Sequence, residues 1–158
     1  MKVLVLGLNY VPEPVGIGPY TAGMAEGLVE AGHDVTVICA KPYYPDWQVA
    51  SAFRSWRTSR STENGVRIVR LPTYVPDVPT GARRVAHHAS FAAGALPALL
   101  VEAKRERPDV VIVIAPSLLS VAVARVITTV LGAKLWLHIQ DFEVDAAIAT
   151  NLLPDGGI

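Results

Sequence analysis

Three short stretches of this 158-residue chain carry side chains able to handle a charged ligand that contains a ring. The first is Gly7-Leu8-Asn9-Tyr10-Val11-Pro12-Glu13-Pro14-Val15-Gly16-Ile17-Gly18-Pro19-Tyr20. Glycines just before a helix let backbone N–H groups approach an anion, and the helix dipole favours negative charge there. Gly16, Ile17 and Gly18 are therefore a candidate phosphate loop, with Asn9 and Tyr20 as polar neighbours. Turn glycines that bind nothing are the plain alternative. The second stretch is Lys41-Pro42-Tyr43-Tyr44-Pro45-Asp46-Trp47. The rings of Tyr43, Tyr44 and Trp47 can stack on the apolar face of a sugar, and Lys41 adds a cation. A satellite cluster that pins a long loop would use the same residues. The third is His138-Ile139-Gln140-Asp141, where a histidine at a strand end can donate a hydrogen bond or move a proton near neutral pH. A structural histidine is the alternative there.

Several chemistries are excluded by spacing. A dinucleotide fingerprint needs G-x-G-x-x-G directly after a strand, whereas Gly16 follows Gly7 by nine residues and the next glycine after Gly18 is Gly23. The second strand ends in Cys39-Ala40-Lys41, with no acid to hold a ribose. An NADP-dependent oxidoreductase, with Lys41 on the 2′-phosphate, is thus a weak alternative. A nucleotide-binding module without catalysis is a stronger one. No metal site is expected: His87 and His88 are adjacent in a helix and diverge by about 100°. No P-loop or G-x-S-x-G nucleophile motif is present.

These stretches need elements to bring them together. Val3–Leu6 and Val110–Ile114 are continuous apolar runs, the pattern of strands buried on both faces, and Asp34–Cys39 reads as another buried strand. Val66–Leu71 alternates apolar residues with arginine and predicts a strand with one wetter face. Lys134–Ile139 predicts a fifth strand. Helices are expected at Pro19–Ala31, Gly81–Arg107 with a kink at Pro97, and Ser117–Leu131, closed by Gly32 and Gly132 at the first and last. Residues 41–61 predict an ordered, irregular loop. Strands alternating with helices imply a Rossmann-like three-layer α/β domain with a mainly parallel sheet, its five strands in the order third, second, first, fourth, fifth. Ligands in such sheets bind beyond the carboxyl ends of the strands. That rule joins the glycine loop, the aromatic loop, Leu71–Thr73, Ser117 and the His138–Asp141 turn on one surface. Ser117 and Asp141 are its further polar candidates.

Half of the residues (51%) are apolar and 18% are charged, which excludes a disordered chain. Fourteen basic residues balance fourteen acids, so no nucleic-acid partner is expected. The balance is local, however. Arg54 to Arg84 holds seven arginines (54, 57, 60, 67, 70, 83 and 84) against Glu63 and Asp77, a net +5. Either this is a solvated basic face or, with Trp56 and Tyr74 interleaved, it attracts an anionic membrane surface. One cysteine, no membrane-length apolar run and no leader-like start lead to a cytoplasmic expectation, peripheral at most to the inner face of the plasma membrane.

Read together, the three stretches resemble the N-terminal half of a GT-B glycosyltransferase of family 4, the retaining class that uses sugar nucleotides. The Asn9-Tyr10-x-Pro12-Glu13-Pro14-x-Gly16-Ile17-Gly18 block, Glu30-Ala31-Gly32-His33-Asp34-Val35, Ala40–Trp47 and His138–Asp141 carry the likeness. It extends over essentially all 158 residues, toward a WcaI-like branch that serves colanic acid and other exopolysaccharides. The resemblance implies one acceptor-side domain over residues 1–158, with the donor nucleotide held mainly by a second domain that lies outside this sequence. The fragment alone is then expected to be inactive. The resemblance also implies that Gly16–Gly18 approach the donor diphosphate and that His138 hydrogen-bonds the transferred sugar. Asn9, Tyr20, Lys41, Tyr43, Tyr44, Trp47, Ser117 and Asp141 are then candidates for the acceptor or sugar. A nucleotide-diphosphate sugar is the expected co-substrate, with no cofactor and no metal, and the acceptor is a sugar or a polyprenyl-diphosphate-linked glycan.

Overall fold

The computed structural model describes residues 1–140. Six strands form one sheet: β1 (Lys2–Leu6), β2 (Asp34–Ala40), β3 (Ser59–Glu63), β4 (Val66–Leu71), β5 (Val110–Ile114) and β6 (Lys134–His138). Their order is β3-β4-β2-β1-β5-β6. Every neighbouring pair is parallel except β3 with β4. The five strands expected from sequence therefore hold their expected order, and β3 is an addition at the edge.

β3 lies where an irregular loop was expected. Its sequence Ser-Arg-Ser-Thr-Glu is exposed throughout, so no apolar period marks it. The local signal is Asn64-Gly65, both at positive φ (49° and 79°), which closes a tight β3–β4 hairpin. A side chain at Gly65 would also meet Val29 Cγ1 at 2.7 Å. The other departures are at element ends. Helix α1 starts two residues early (Ile17–Glu30), and α3 spans Leu118–Leu131. Helix α2 (Gly81–Glu106) runs through Pro97 as one 26-residue helix.

Apolar residues on both faces of the central strands produce two cores. Leu4, Leu6, Ile38, Val69, Leu71, Val111 and Val113 pack on one face against Phe91, Ala95 and Leu99 of α2 and Ala124 and Ile127 of α3. Val3, Val5, Val35, Val37, Ile68, Ile112 and Ile114 pack on the other against Ala22 and Ala25 of α1. Each large side chain fully buried here, such as Phe91 or Leu99, contributes about 1.5–3 kcal/mol. The buried Cys39 thiol has its pKa pushed up to about 12 by that burial, so it is a core residue with no thiolate chemistry.

The arginines of β4 do not share a wet face. Arg67 sits on the α2 side, where its Nη2 is 3.2 Å from Glu106 Oε2 and its Nε donates to Thr36 Oγ1. Arg70 sits on the other side, only 3% exposed, donating to Glu63, Ser61 and the Val11 carbonyl and lying over the Phe53 ring. Arg60 of β3 pairs with Glu102 of α2 at 2.9 Å. Three of the seven arginines in the basic segment are thus neutralised, two of them by α2 acids distant in sequence. The +5 counted along the chain overstates the charge the surface presents.

Candidate functional site

The carboxyl ends of β1 and β2 open into a cavity of about 180 Å³. Its walls are Leu8, Asn9, Gly16 and Ile17 from the first loop and the start of α1, Tyr43, Tyr44 and Trp47 from the aromatic loop, Arg84 and His88 from α2, and Pro116. The two loops read from the sequence therefore meet in space.

Glu13 holds them together. Although flanked by prolines in a loop, it is 3% exposed. Its Oε1 accepts from the backbone N–H groups of Tyr43 (3.0 Å) and Tyr44 (3.1 Å), and its Oε2 accepts from Asn9 Nδ2 (3.0 Å). Burial raises its pKa above the ordinary carboxylate value, against the pull of those hydrogen bonds. Asn9 Nδ2 is also within 3.2 Å of Tyr43 Oη. One carboxyl group thus fixes the glycine loop on the aromatic loop.

The glycines divide their work. Gly16 is the N-cap of α1, at φ 72° and ψ −148°. That region is essentially reserved for glycine, and a Cβ there would lie 3.3 Å from the Tyr44 ring. No acid lies within the first turn of α1 and no side chain caps it. Gly16 and Ile17 bring its N-terminal end to the cavity wall, and the Glu13 carboxylate lies behind it, with Oε2 3.4 Å from where a Gly18 Cβ would be. Gly18 does not line the cavity. A Cβ on it would lie 3.3 Å from Glu13 Cβ and from the Tyr10 carbonyl carbon, so it lets α1 close on the loop.

The aromatic wall is built on a histidine. Tyr43, largely buried, lies edge-on to His87 with ring centroids 4.6 Å apart, and Trp47 lies 5.4 Å from Tyr43 and 5.5 Å from His87. Trp47 takes a left-handed φ of 51°. His87 is fully buried, and its Nδ1 is hydrogen-bonded to the Tyr74 carbonyl. Burial lowers its pKa, which keeps the ring neutral at pH 7. The pKa of His88 is lowered too, by burial first and then by His87 and Arg84.

Other expected site residues lie elsewhere. Tyr20 is 74% exposed on α1 and away from the cavity. Lys41 is buried; its Nζ donates to the Ser55 carbonyl, and it borders a separate cavity with Trp56, Pro72 and Thr73. Burial lowers its pKa. Ser117 is buried, and its hydroxyl shares a 2.6 Å hydrogen bond with that of Ser120. Only Pro116 of that turn reaches the cavity. His138 ends β6 opposite Ile114, half-buried, and its carbonyl accepts from the Ala115 N–H at 2.9 Å. This places it one residue from Pro116 across the strand end, not in the cavity wall. Asp141 lies outside the described residues. Among those residues no three His, Cys, Asp or Glu gather as metal ligands.

Sequence reasoning missed Glu13, Arg84 and His88. The last two stand four apart near the start of α2, a spacing that places both on one helix face. That was the available signal. Along the chain, Arg84 falls within the charge run and His88 beside His87, and neither pattern points to a cavity.

Residues 15–156 match the glycosyl transferase 4-like domain family. Over 156 residues the chain is 42% identical to an Escherichia coli (strain K12) protein named as a colanic acid biosynthesis glycosyl transferase, WcaI. That alignment takes in 99% of this chain and 38% of the relative, so the chain spans less than half of the relative's length. Among solved structures, the glycotransferase of kitacinnamycin superposes with a TM-score of 0.59 at 22% identity, over 98% of this chain and 36% of that one. A UGT transferase from Siraitia grosvenorii, solved in complex with UDP, gives 0.51 at 17% identity, over 87% and 27%. At these identities the structures speak for the fold, the α/β unit of GT-B transferases.

Proposed function

Because the chain belongs to the glycosyl transferase 4-like family, we propose that it is the acceptor-side domain of a retaining, sugar-nucleotide-dependent glycosyltransferase in exopolysaccharide or other cell-envelope glycan synthesis. The observation that carries this is the cavity itself. It sets an uncapped helix N-terminus, suited to a diphosphate, beside three aromatic rings suited to a sugar. In sugar transfer with retention, an oxocarbenium-like centre forms while the departing nucleoside diphosphate gains negative charge. Backbone N–H groups at Gly16 and Ile17 are preorganised for such charge, which is where electrostatic catalysis is most effective. The leaving phosphate then assists removal of the acceptor proton. The donor is a nucleotide-diphosphate sugar serving as co-substrate, with no separate cofactor. Its nucleotide lies mainly in a second domain of the longer protein.

Thermal unfolding of the chain with UDP- or GDP-sugars, and with NADP, tests the reading. A ligand at a hundred times its Kd stabilises by about 2.7 kcal/mol, or several degrees for a domain of this size. The expected outcome is a rise with a sugar nucleotide and none with NADP. An equal rise with NADP sinks the proposal.

The acceptor in this reading is a sugar or a polyprenyl-diphosphate-linked glycan, so the domain works at a membrane surface. Among the described residues no helix is long and apolar enough to cross a membrane. What supports peripheral attachment is the remainder of the basic segment. Arg54, Arg57 and Arg83 are exposed without an acid partner among the described residues, and Trp56 between the first two is 88% exposed. Each such cation is worth about 1 kcal/mol near an anionic bilayer. The chain is expected to sediment with anionic vesicles at low salt and to be released near ~0.5 M, where the Debye length falls below about 5 Å. Equal sedimentation with neutral vesicles contradicts it.

A further inference from the structure

The cavity wall holds one permanent charge, and it is positive. None of the ten lining residues is Asp or Glu, and Arg84 is the only Lys or Arg among them. Arg60, Arg67 and Arg70 each have a carboxylate partner; Arg84 has none among the described residues. Its position is nonetheless defined. Nε donates to the Pro79 carbonyl at 3.2 Å, and the guanidinium carbon lies 5.4 Å from the Trp47 ring centre. These contacts leave the two terminal nitrogens, the pair that matches phosphate oxygens, without a protein acceptor among the described residues. His88, one turn further along α2, lines the same wall. Its ring adds an N–H donor on that wall.

We propose that Arg84 and His88 hold a phosphate group of the acceptor while the adjoining ring lies on Trp47 and Tyr44. This rests on the acceptor-side reading and adds to it a substrate class. It also gives the cavity two separate anion positions, one at Gly16–Ile17 for the donor diphosphate and one on α2 for the acceptor. A neutral acceptor would cover the guanidinium without pairing it, which costs free energy and selects against such substrates. The phosphate could be a glycosyl phosphate or the diphosphate of a prenyl carrier, since the guanidinium recognises the same oxygens in both.

Isothermal titration of the chain with methyl α-glucoside, glucose 1-phosphate and geranyl diphosphate separates these. At least one phosphate probe is expected to bind tenfold or more tightly than the glucoside. Arg84→Gln is expected to remove that advantage, a loss of roughly tenfold to a hundredfold that exceeds any change in glucoside affinity. His88→Gln is expected to lose several-fold. Lys104→Gln, an exposed site elsewhere on α2, is expected to change nothing. Whichever phosphate probe becomes Arg84-dependent identifies the source. An advantage that survives Arg84→Gln, or falls equally in Lys104→Gln, overturns the assignment. Glucoside binding with no phosphate advantage removes the Arg84 role and leaves the acceptor-side reading standing; no binding by any probe removes both.

Discussion

In the proposed reading, replacing His138 with alanine is expected to lower kcat by roughly 10²–10⁴ in a protein of family length, the effect of removing a positioned polar group near the reacting centre. The geometry behind this is the strand end. His138 closes β6 in register with Ile114, and its carbonyl is tied to the Ala115 N–H, so its backbone is fixed beside the Pro116 wall of the cavity. A side chain set on a strand is more precisely placed than one on a loop. The measurement is steady-state turnover for the wild type, His138→Ala and His138→Gln, with Tm as a check on folding. If hydrogen bonding to the transferred sugar is the role, glutamine restores part of kcat. Normal turnover per folded molecule in the alanine variant makes His138 structural.

Gly16→Val is expected to have the other large effect, and on two quantities at once. The backbone there lies at φ 72° and ψ −148°. A valine held there costs about 1–3 kcal/mol, which for a chain of this size lowers Tm by several degrees. Its Cβ also presses on the Tyr44 ring and narrows the cavity at the end of α1. Sugar-nucleotide affinity and Tm therefore fall together. A Gly16→Val protein with wild-type melting and affinity would mean that neither the turn nor the anion position depends on this glycine.

What the sequence made legible follows from burial. Apart from Lys2, Asp34 and Thr36, β1, β2 and β5 are apolar throughout because both faces are covered, and short runs of that kind bounded by turns mark buried strands. β3 is the opposite case: both faces are wet, so only the Asn64-Gly65 turn announced it. The half of the site carried by loops was legible because glycine, proline and aromatic residues mark loops by type. The half carried by α2 was not. Arg84 and His88 gain meaning only when the start of that helix is placed against Trp47, a contact 37 residues apart in the chain for Arg84. Glu13 was overlooked because an acid between two prolines reads as solvent-exposed, and nothing local says that two backbone N–H groups from residues 43 and 44 will surround it.

That same carboxylate has a consequence for the thermodynamics of recognition. Loops of this length ordinarily sample many conformations and lose them when a ligand arrives, at a cost of about 0.5–1.5 kcal/mol for each side chain immobilised. Here the loss has already occurred during folding, because Glu13 has drawn both segments into one arrangement with Asn9, Tyr43 and Tyr44. A ligand entering this cavity would meet loops already ordered, so little of the interaction energy would go into ordering the protein and selectivity would turn on the match of the ligand's outline to the cavity.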